Sequence, residues 1–138
     1  MIRDVTILND FFVKEFSQVG LKVEALGDHT ATVRYPIDER ALRPGGTVSG
    51  PVMFTAADCA MYAAILGHYG LIPLAVTTNL SINFLRKPRA DADILAVCHL
   101  LKAGKALVVA EVDIFSEGSD EVVAHATGTY SIPPDDRR

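Results

Sequence analysis

The sequence predicts an α+β protein in which a curved antiparallel sheet wraps around one long central helix. Three observations support this. An alanine-rich apolar segment without Gly or Pro starts at Val52 and has the composition of a long helix. Segments with the alternating pattern of β-strands precede and follow it. Because a helix this apolar cannot stay exposed, the strands must cover it.

The chain has the size and composition of one globular domain. It contains 138 residues, of which 49% are hydrophobic and 22% charged, and its net charge is −4. This length predicts a single domain over 1–138, with 133–138 as a frayed tail. The acidic balance argues against a nucleic-acid partner, because nucleic-acid binding requires a basic surface.

The cysteine content and the N-terminus predict a cytoplasmic protein. Cys59 and Cys98 are the only cysteines, and neither has metal-ligand spacing, so both are expected to be free thiols. The first residues show no apolar core of a signal peptide. Asp58, His68 and Pro73 interrupt any apolar stretch of about 20 residues, which argues against a membrane span.

A short helix and a hairpin are expected before the central helix. Apolar residues share one face over residues 7–17, which predicts an amphipathic helix that Gly20 ends. Two alternating segments then predict strands joined by a turn, at residues 21–26 and 30–35. A polar loop over 36–46 leads to the central helix.

The start of the central helix carries several signals. Ser49 and Gly50 are suitable caps, and Pro51 suits the first turn, where its missing N–H has no intrahelical partner to lose. Gly67 is the first glycine after these positions, and it is therefore the predicted end of the helix.

Strand-forming residues dominate the rest of the chain. Four segments predict strands in an antiparallel meander: residues 74–85, 94–102, 105–115 and 122–132. The basic sequence Arg86-Lys87-Pro88-Arg89 ends the first of them, and Gly104 marks a turn.

Asp58 is the only Asp, Glu, Lys or Arg between Arg43 and Arg86. A lone carboxylate is expensive to bury in apolar surroundings without a partner. Two interpretations remain open: a functional carboxylate, or a structural one that caps a neighbouring element. His68 lies far along the helix from Asp58 and is interpreted as structural or exposed.

Three parts of the chain resemble the hotdog fold, and within it the PaaI-like acyl-CoA thioesterases of the 4-hydroxybenzoyl-CoA thioesterase superfamily. The resemblance covers residues 7–132 and is carried by the segments SGPVMFTAADCAMYAA, AVTTNLSINFLRKP, and LKAGKALVVAEVDIF with AHATGTYSI. It implies hydrolysis of an acyl-CoA to the free acid and CoA, with no cofactor besides the coenzyme A of the substrate. It also implies a homodimer or homotetramer.

The resemblance places the chemistry at three residues. Asp58 would act as a general base on water, or as a nucleophile, at the thioester carbonyl. Thr77, from the partner subunit, would hold that water. The Gly50 N–H at the helix start would stabilise the oxyanion. The family's His-Gly-Gly corresponds here to Ser49-Gly50-Pro51, and a family Asn corresponds to Arg43.

The resemblance also suggests residues that bind substrate. Asn79 would face the ligand, Arg86 with Lys87 and Arg89 would meet phosphates, and the turn would contact the nucleotide through Lys102, Gly104 and Lys105. Solvated surface charges are the alternative interpretation for these cations. Large helix side chains fit either an acyl pocket or the core: Met53, Phe54, Met61, Tyr62 and Ile65.

Two other functions remain open. The Ser49 and Pro51 replacements suggest a non-catalytic acyl-CoA binding or regulatory protein. A hydratase or dehydratase ranks last, because His68 is too distant from Asp58 to share a short motif with it. The thiol carrier is either CoA or an acyl carrier protein.

Overall fold

The computed structural model describes residues 1–16 and 20–138 as two α-helices and eight strands. The helices are α1 (Val5–Glu15) and α2 (Gly50–Tyr69). The strands are β1 (Lys22–Gly27), β2 (Thr30–Tyr35), β3 (Leu42–Arg43), β4 (Thr47–Val48), β5 (Val76–Phe84), β6 (Ile94–Ala103), β7 (Leu107–Ser116) and β8 (Ala124–Ser131).

The first helix begins earlier than its apolar pattern predicts. Asp4 is its N-cap and accepts a hydrogen bond from the Thr6 N–H at 2.9 Å. A carboxylate at this position satisfies an N–H that has no intrahelical acceptor, so α1 starts at Val5. The predicted end at Ser17 lies outside the described residues.

Six strands form one antiparallel sheet in the order β1-β2-β6-β7-β8-β5. The predicted meander is correct for β6, β7 and β8 but wrong for β5, which pairs with β8 rather than β6. The alternating pattern predicts that a segment is a strand but does not specify its neighbour. As a result β5 is an edge strand, and seven of its nine side chains are exposed.

The sheet wraps around α2 as predicted. The helix packs against β2, β6 and β7, and its small residues let it lie close to them. These residues are almost fully buried: Ala56, Ala57, Ala60, Ala63 and Ala64. By length and composition, α2 is long and apolar enough to cross a membrane. However, 61% of its most apolar 18-residue stretch is buried within the protein. It is therefore the core helix of this fold.

The predicted helix end at Gly67 is wrong. The helix continues to Tyr69, and Gly70 is its C-cap, with φ at 95° and its N–H bonded to the Leu66 carbonyl at 2.9 Å. Gly67 instead lies under the N-terminal segment and accepts a hydrogen bond from the Ile2 N–H at 2.8 Å. Gly67 is therefore an interior residue of the helix and does not mark a turn.

The polar loop before α2 contains structure that its sequence did not predict. A 3₁₀ turn spans Glu39–Ala41, and β3 and β4 form a small hairpin. Strands of two residues are too short to show any periodicity. The Ser49 N–H donates to the Ala41 carbonyl at 2.9 Å, and this bond fixes the start of α2.

The C-terminal segment folds back on the body of the protein. Asp135–Arg137 form a 3₁₀ turn, and the Arg138 guanidinium lies 5.9 Å from the centre of the Tyr69 ring. The Arg138 Nε also donates to the Pro133 carbonyl at 3.1 Å. The tail therefore has specific contacts where the sequence suggests fraying.

Candidate active site

Asp58 projects from the side of α2 that the sheet does not cover. It is half-buried, whereas Met61 and Ile65 on the same helix are fully buried and Met53 is 4% exposed. Those three large side chains therefore belong to the core. Tyr62, one turn after Asp58, instead faces the same cavity as the carboxylate.

Two hydroxyl groups hold the Asp58 carboxylate. Thr77 Oγ1 donates to Oδ1 at 2.8 Å, and the Tyr130 hydroxyl donates to the same oxygen at 2.7 Å. The Tyr130 hydroxyl also lies 3.1 Å from the Asp58 backbone carbonyl. Among the described residues, no hydrogen bond ends on Oδ2 or links this carboxylate to a backbone N–H. One oxygen is therefore fixed and the other is free to accept.

The two donors come from neighbouring strands. Thr77 of β5 stands directly opposite Tyr130 of β8, so both side chains point to the same face of the sheet. The resemblance implied that Thr77 acts from a partner subunit, but it contacts Asp58 of its own chain. Sequence reasoning missed Tyr130. The alternating pattern of the last predicted strand could have indicated that its side chain faces the helix.

Tyr130 is a permanent donor in this arrangement. It is 4% exposed, and burial together with the Asp58 charge raises the pKa of its phenol far above the usual range. The hydroxyl thus keeps its proton at any physiological pH. Its ring stacks on Tyr62, with centroids 6.2 Å apart and planes at 23°.

A cavity of about 370 Å³ opens beside the carboxylate. Phe12 of helix α1 and Phe16, the C-cap of that helix, form part of its wall, a contribution that the sequence did not predict. No Lys, Arg or His is among its lining residues: Phe12, Phe16, Asp58, Cys59, Tyr62, Pro73, Ala75, Val76, Thr77 and Tyr130. Asp58 is therefore the charged group of an otherwise apolar, aromatic cavity.

Cys59 lines the same cavity but is a poor nucleophile. Burial and the adjacent Asp58 charge raise the pKa of its thiol to about 12. The thiolate is the reactive form of cysteine, so Cys59 is inert at neutral pH. Both cysteines are free, as predicted.

A second cavity, of about 420 Å³, surrounds the start of α2. Gly50 and Phe84 line it together with the cations Arg43, Arg86 and Lys87. Arg86 forms an ion pair with Glu121.

The Gly50 N–H is available as a donor in this second cavity. Among the described residues it has no hydrogen-bond acceptor. Ser49 caps the helix by accepting from the Val52 N–H at 3.4 Å, and Pro51 has no N–H to offer. Free N–H groups at a helix start favour negative charge.

Within one chain, the predicted catalytic residues lie in two separate places, Gly50 in one and Asp58 with Thr77 in the other. Gly50 and Asp58 are eight residues apart on one helix, a rise of about 12 Å. Phe84, beside Gly50, and Thr77, beside Asp58, lie near opposite ends of β5, which is about 30 Å long. The Gly50 N–H and the Asp58 carboxylate of the same chain are therefore badly placed to act on one carbonyl.

The β6–β7 turn lies at the Thr77 end of this strand. Leu107, at the start of β7, stands opposite Ser131, which in turn stands opposite Val76. The Gly104 N–H donates to the Leu107 carbonyl at 3.0 Å, and the Gly104 carbonyl accepts from the Tyr69 hydroxyl. Lys102 and Lys105 are both exposed there.

The other two predicted substrate-binding residues lie outside the Asp58 cavity. Asn79 is exposed and stands opposite Thr129, two residues along β5 from Thr77, but it does not line this cavity. Arg86 lies at the far end of β5, near Gly50. Within 1–16 and 20–138, no group of three His, Cys, Asp or Glu side chains is arranged to hold a metal ion.

The chain is similar to several known proteins. Residues 45–123 match the model of the Thioesterase superfamily. The chain shares 45% identity with a Silicibacter protein that carries a provisional thioesterase name; the match covers 97% of this chain and 94% of that one, with a TM-score of 0.89.

Two further proteins extend the comparison. The chain is 25% identical to a mutant phenylacetic acid degradation protein PaaI from Thermus thermophilus, over 90% of this chain and 99% of that one, with a TM-score of 0.74. It is 29% identical to a provisionally named esterase of Saccharolobus solfataricus over 135 residues, which is 93% of this chain and 85% of the relative.

Three findings lead to one conclusion. The sheet surrounds a long central helix, the family model matches more than half of the residues, and a solved structure is 45% identical to this chain. The chain belongs to the Thioesterase superfamily, as a PaaI-like thioester hydrolase with the hotdog fold.

Proposed function

We propose that this thioester hydrolase acts on acyl-CoA, with Asp58 as the general base. The observation that carries the proposal is one carboxylate held by two hydroxyls at the wall of an apolar cavity. The acyl group occupies the aromatic cavity, and the thioester carbonyl lies beside Asp58. No cofactor takes part besides the CoA of the substrate, and the free thiols fit a cytoplasmic location.

The reaction begins with a water molecule hydrogen-bonded to Asp58 Oδ2. The carboxylate accepts a proton as the water oxygen attacks the carbonyl carbon, and a tetrahedral oxyanion forms. When this intermediate collapses, the carbon–sulfur bond breaks and the proton on Asp58 passes to the departing CoA thiolate. The products are the free acid and CoA. The bound acyl group and a second copy of the chain at the β5 edge would cover this cavity and keep bulk water away from the carboxylate.

The oxyanion donor comes from a second copy of the chain. Gly50 of one chain is about 12 Å along the helix from its own Asp58. If two β5 edges pair antiparallel about a two-fold axis, the Thr77 end of one copy meets the Phe84 end of the other. Gly50 of the second copy then approaches Asp58 of the first. The exposed edge of β5 supports such a homodimer, alone or within a homotetramer.

The same pairing unites the predicted CoA-binding residues. Within one chain, Arg86 and the turn that contains Lys102, Gly104 and Lys105 lie at opposite ends of β5. In the proposed dimer they approach one another across the interface, where their cations and the edge residue Asn79 line a path for the phosphates of CoA.

The decisive experiment follows thiol release from a panel of acyl-CoAs by the wild type and by Asp58→Asn. The amide keeps the size of the side chain but cannot take a proton from water. We expect turnover by the wild type and a loss of about 100-fold or more in kcat for the variant, because general-base catalysis contributes about 10²–10⁴-fold. The preferred acyl group then reports the size of the aromatic cavity.

Other outcomes separate the alternatives. Undiminished hydrolysis by Asp58→Asn would overturn the proposed mechanism. Binding of acyl-CoA without turnover by the wild type would favour a non-catalytic binding protein, for which Ser49 and Pro51 at the helix start are the motivating observation. Faster release from acyl carrier protein than from CoA would identify the other thiol carrier.

A further inference from the structure

The hydroxyl of Tyr130 connects β8 to Asp58 at two points. It lies 2.7 Å from the carboxylate oxygen Oδ1 and 3.1 Å from the backbone carbonyl of the same residue. The ring is 4% exposed and stacked on Tyr62, so it has little freedom to move. Tyr130 is thus a rigid donor aimed at one residue.

Thr77 donates to that same Oδ1 from β5. A rotation of the carboxylate about its Cβ–Cγ bond would break both hydrogen bonds at once. Since a hydrogen bond to a charged group contributes more than one between neutral groups, this arrangement selects a single orientation. In that orientation Oδ2 is the oxygen that remains without a donor among the described residues.

We propose that Tyr130 is a positioning residue of the hydrolysis reaction, which holds Asp58 Oδ1 so that Oδ2 receives the attacking water. This inference rests on the proposed role of Asp58 as general base. Tyr130 acts through Asp58 and exchanges no proton with the substrate.

A positioning role differs measurably from the two simpler roles of a buried tyrosine. A residue that only stabilises the fold changes the free energy of unfolding and leaves kcat per folded molecule unaltered. A residue that only lines the acyl cavity changes KM for substrate. A residue that orients the base lowers kcat and leaves KM for substrate nearly unchanged.

The test compares Tyr130→Phe with Thr77→Val and with a control, Tyr69→Phe. The control removes a tyrosine hydroxyl that bonds to the Gly104 carbonyl, outside the Asp58 cavity. For Tyr130→Phe we expect kcat to fall about 10- to 100-fold, with little change in KM. Thr77→Val lowers kcat in the same way, and Tyr69→Phe leaves kcat in place.

A wild-type kcat for folded Tyr130→Phe would overturn the inference, as would a change confined to KM. The ¹³C NMR signal of the Asp58 carboxyl carbon, which Asp58→Asn identifies, tests the same contact without any substrate. This signal must move in Tyr130→Phe, or in Thr77→Val if the first variant does not fold, and must stay in place in Tyr69→Phe. A wild type inactive on every acyl-CoA would overturn the proposed function alone, since the NMR signal still tests the contact.

Discussion

At the scale of single residues, the hydrogen bonds of Asp58 favour one of the two interpretations of a lone acid in an apolar helix, the functional one. A carboxylate that caps a neighbouring element would accept backbone N–H groups. The described hydrogen bonds of Asp58 come instead from two side-chain hydroxyls inside a cavity. This arrangement leaves lone pairs available, as a general base requires.

The charge of Asp58 has a measurable effect on its neighbour Cys59. Because burial and this charge raise the pKa of the Cys59 thiol to about 12, we expect very slow alkylation by iodoacetamide at neutral pH, accelerating as the pH rises toward that value. Mass spectrometry of the folded protein measures the rate at each cysteine.

Asp58→Asn provides the matched comparison for this prediction. Removing the charge lowers the pKa of the Cys59 thiol, so its alkylation accelerates. Cys98, whose pKa burial raises to about 12, lies on β6 and keeps its rate. Rapid labelling of Cys59 at neutral pH in the folded wild type would contradict the assignment.

At the scale of elements, α2 performs two tasks with different stretches of its sequence. Its second half, from Ala60 to Gly67, is buried all round and forms the core. Its first half leaves Phe54 and Asp58 partly open on one side. The uniform apolar composition therefore reflects burial of the second half, and the single carboxylate marks the side on which the sheet does not cover the helix.

The true end of α2 can be tested with two glycine substitutions. Gly70 has φ at 95°, a region that side chains strain, so Gly70→Ala should lower the free energy of unfolding by about 1–2 kcal/mol. Gly67 is helical, and an added Cβ would meet Leu26 Cδ2 at 3.4 Å, an ordinary contact. Gly67→Ala should therefore be neutral or stabilise by up to about 1 kcal/mol.

Urea denaturation of both variants measures these changes. If Gly70→Ala were as stable as the wild type and Gly67→Ala strongly destabilised, the helix would end at Gly67 after all. If the unfolding free energy of both variants depends on urea concentration as steeply as that of the wild type, only stability has changed.

At the scale of the whole molecule, the long separation between Gly50 and Asp58 within one chain predicts a shared site. Asp58→Asn and Gly50→Pro should each be inactive alone, since the first lacks the base and the second lacks the oxyanion N–H. Proline is acceptable at the start of a helix, and the exposed Phe84 ring, whose Cζ would lie 3.2 Å from the added Cβ, has to shift only slightly for the second variant to fold. A mixture refolded together should regain turnover, because a mixed dimer contains one intact site.

Size-exclusion chromatography with light scattering provides the control for this mixing experiment. The refolded mixture must be dimeric or larger, and each variant refolded alone must stay inactive. Activity that does not return in a confirmed mixed dimer would place both groups of one site in the same chain. A protein that is monomeric yet fully active would exclude a shared site.

Much of the architecture was predictable from local sequence. The alternation of apolar residues located the strands, and the caps and alanines located α2 around Asp58, because side-chain direction follows from the backbone period alone. The family resemblance also rests on short segments, although it assigned Thr77 to a partner subunit and the structure places Thr77 beside Asp58 of the same chain.

Only the tertiary structure decided how these elements meet. The pairing of β5 with β8 placed Tyr130 opposite Thr77, and α1 placed Phe12 and Phe16 in the cavity of a helix far along the chain. Strand order and helix docking depend on contacts between residues distant in sequence, which no local pattern encodes. The sequence alone therefore determined the acid and the fold around it, while long-range packing decided which groups hold that acid and how far it lies from Gly50.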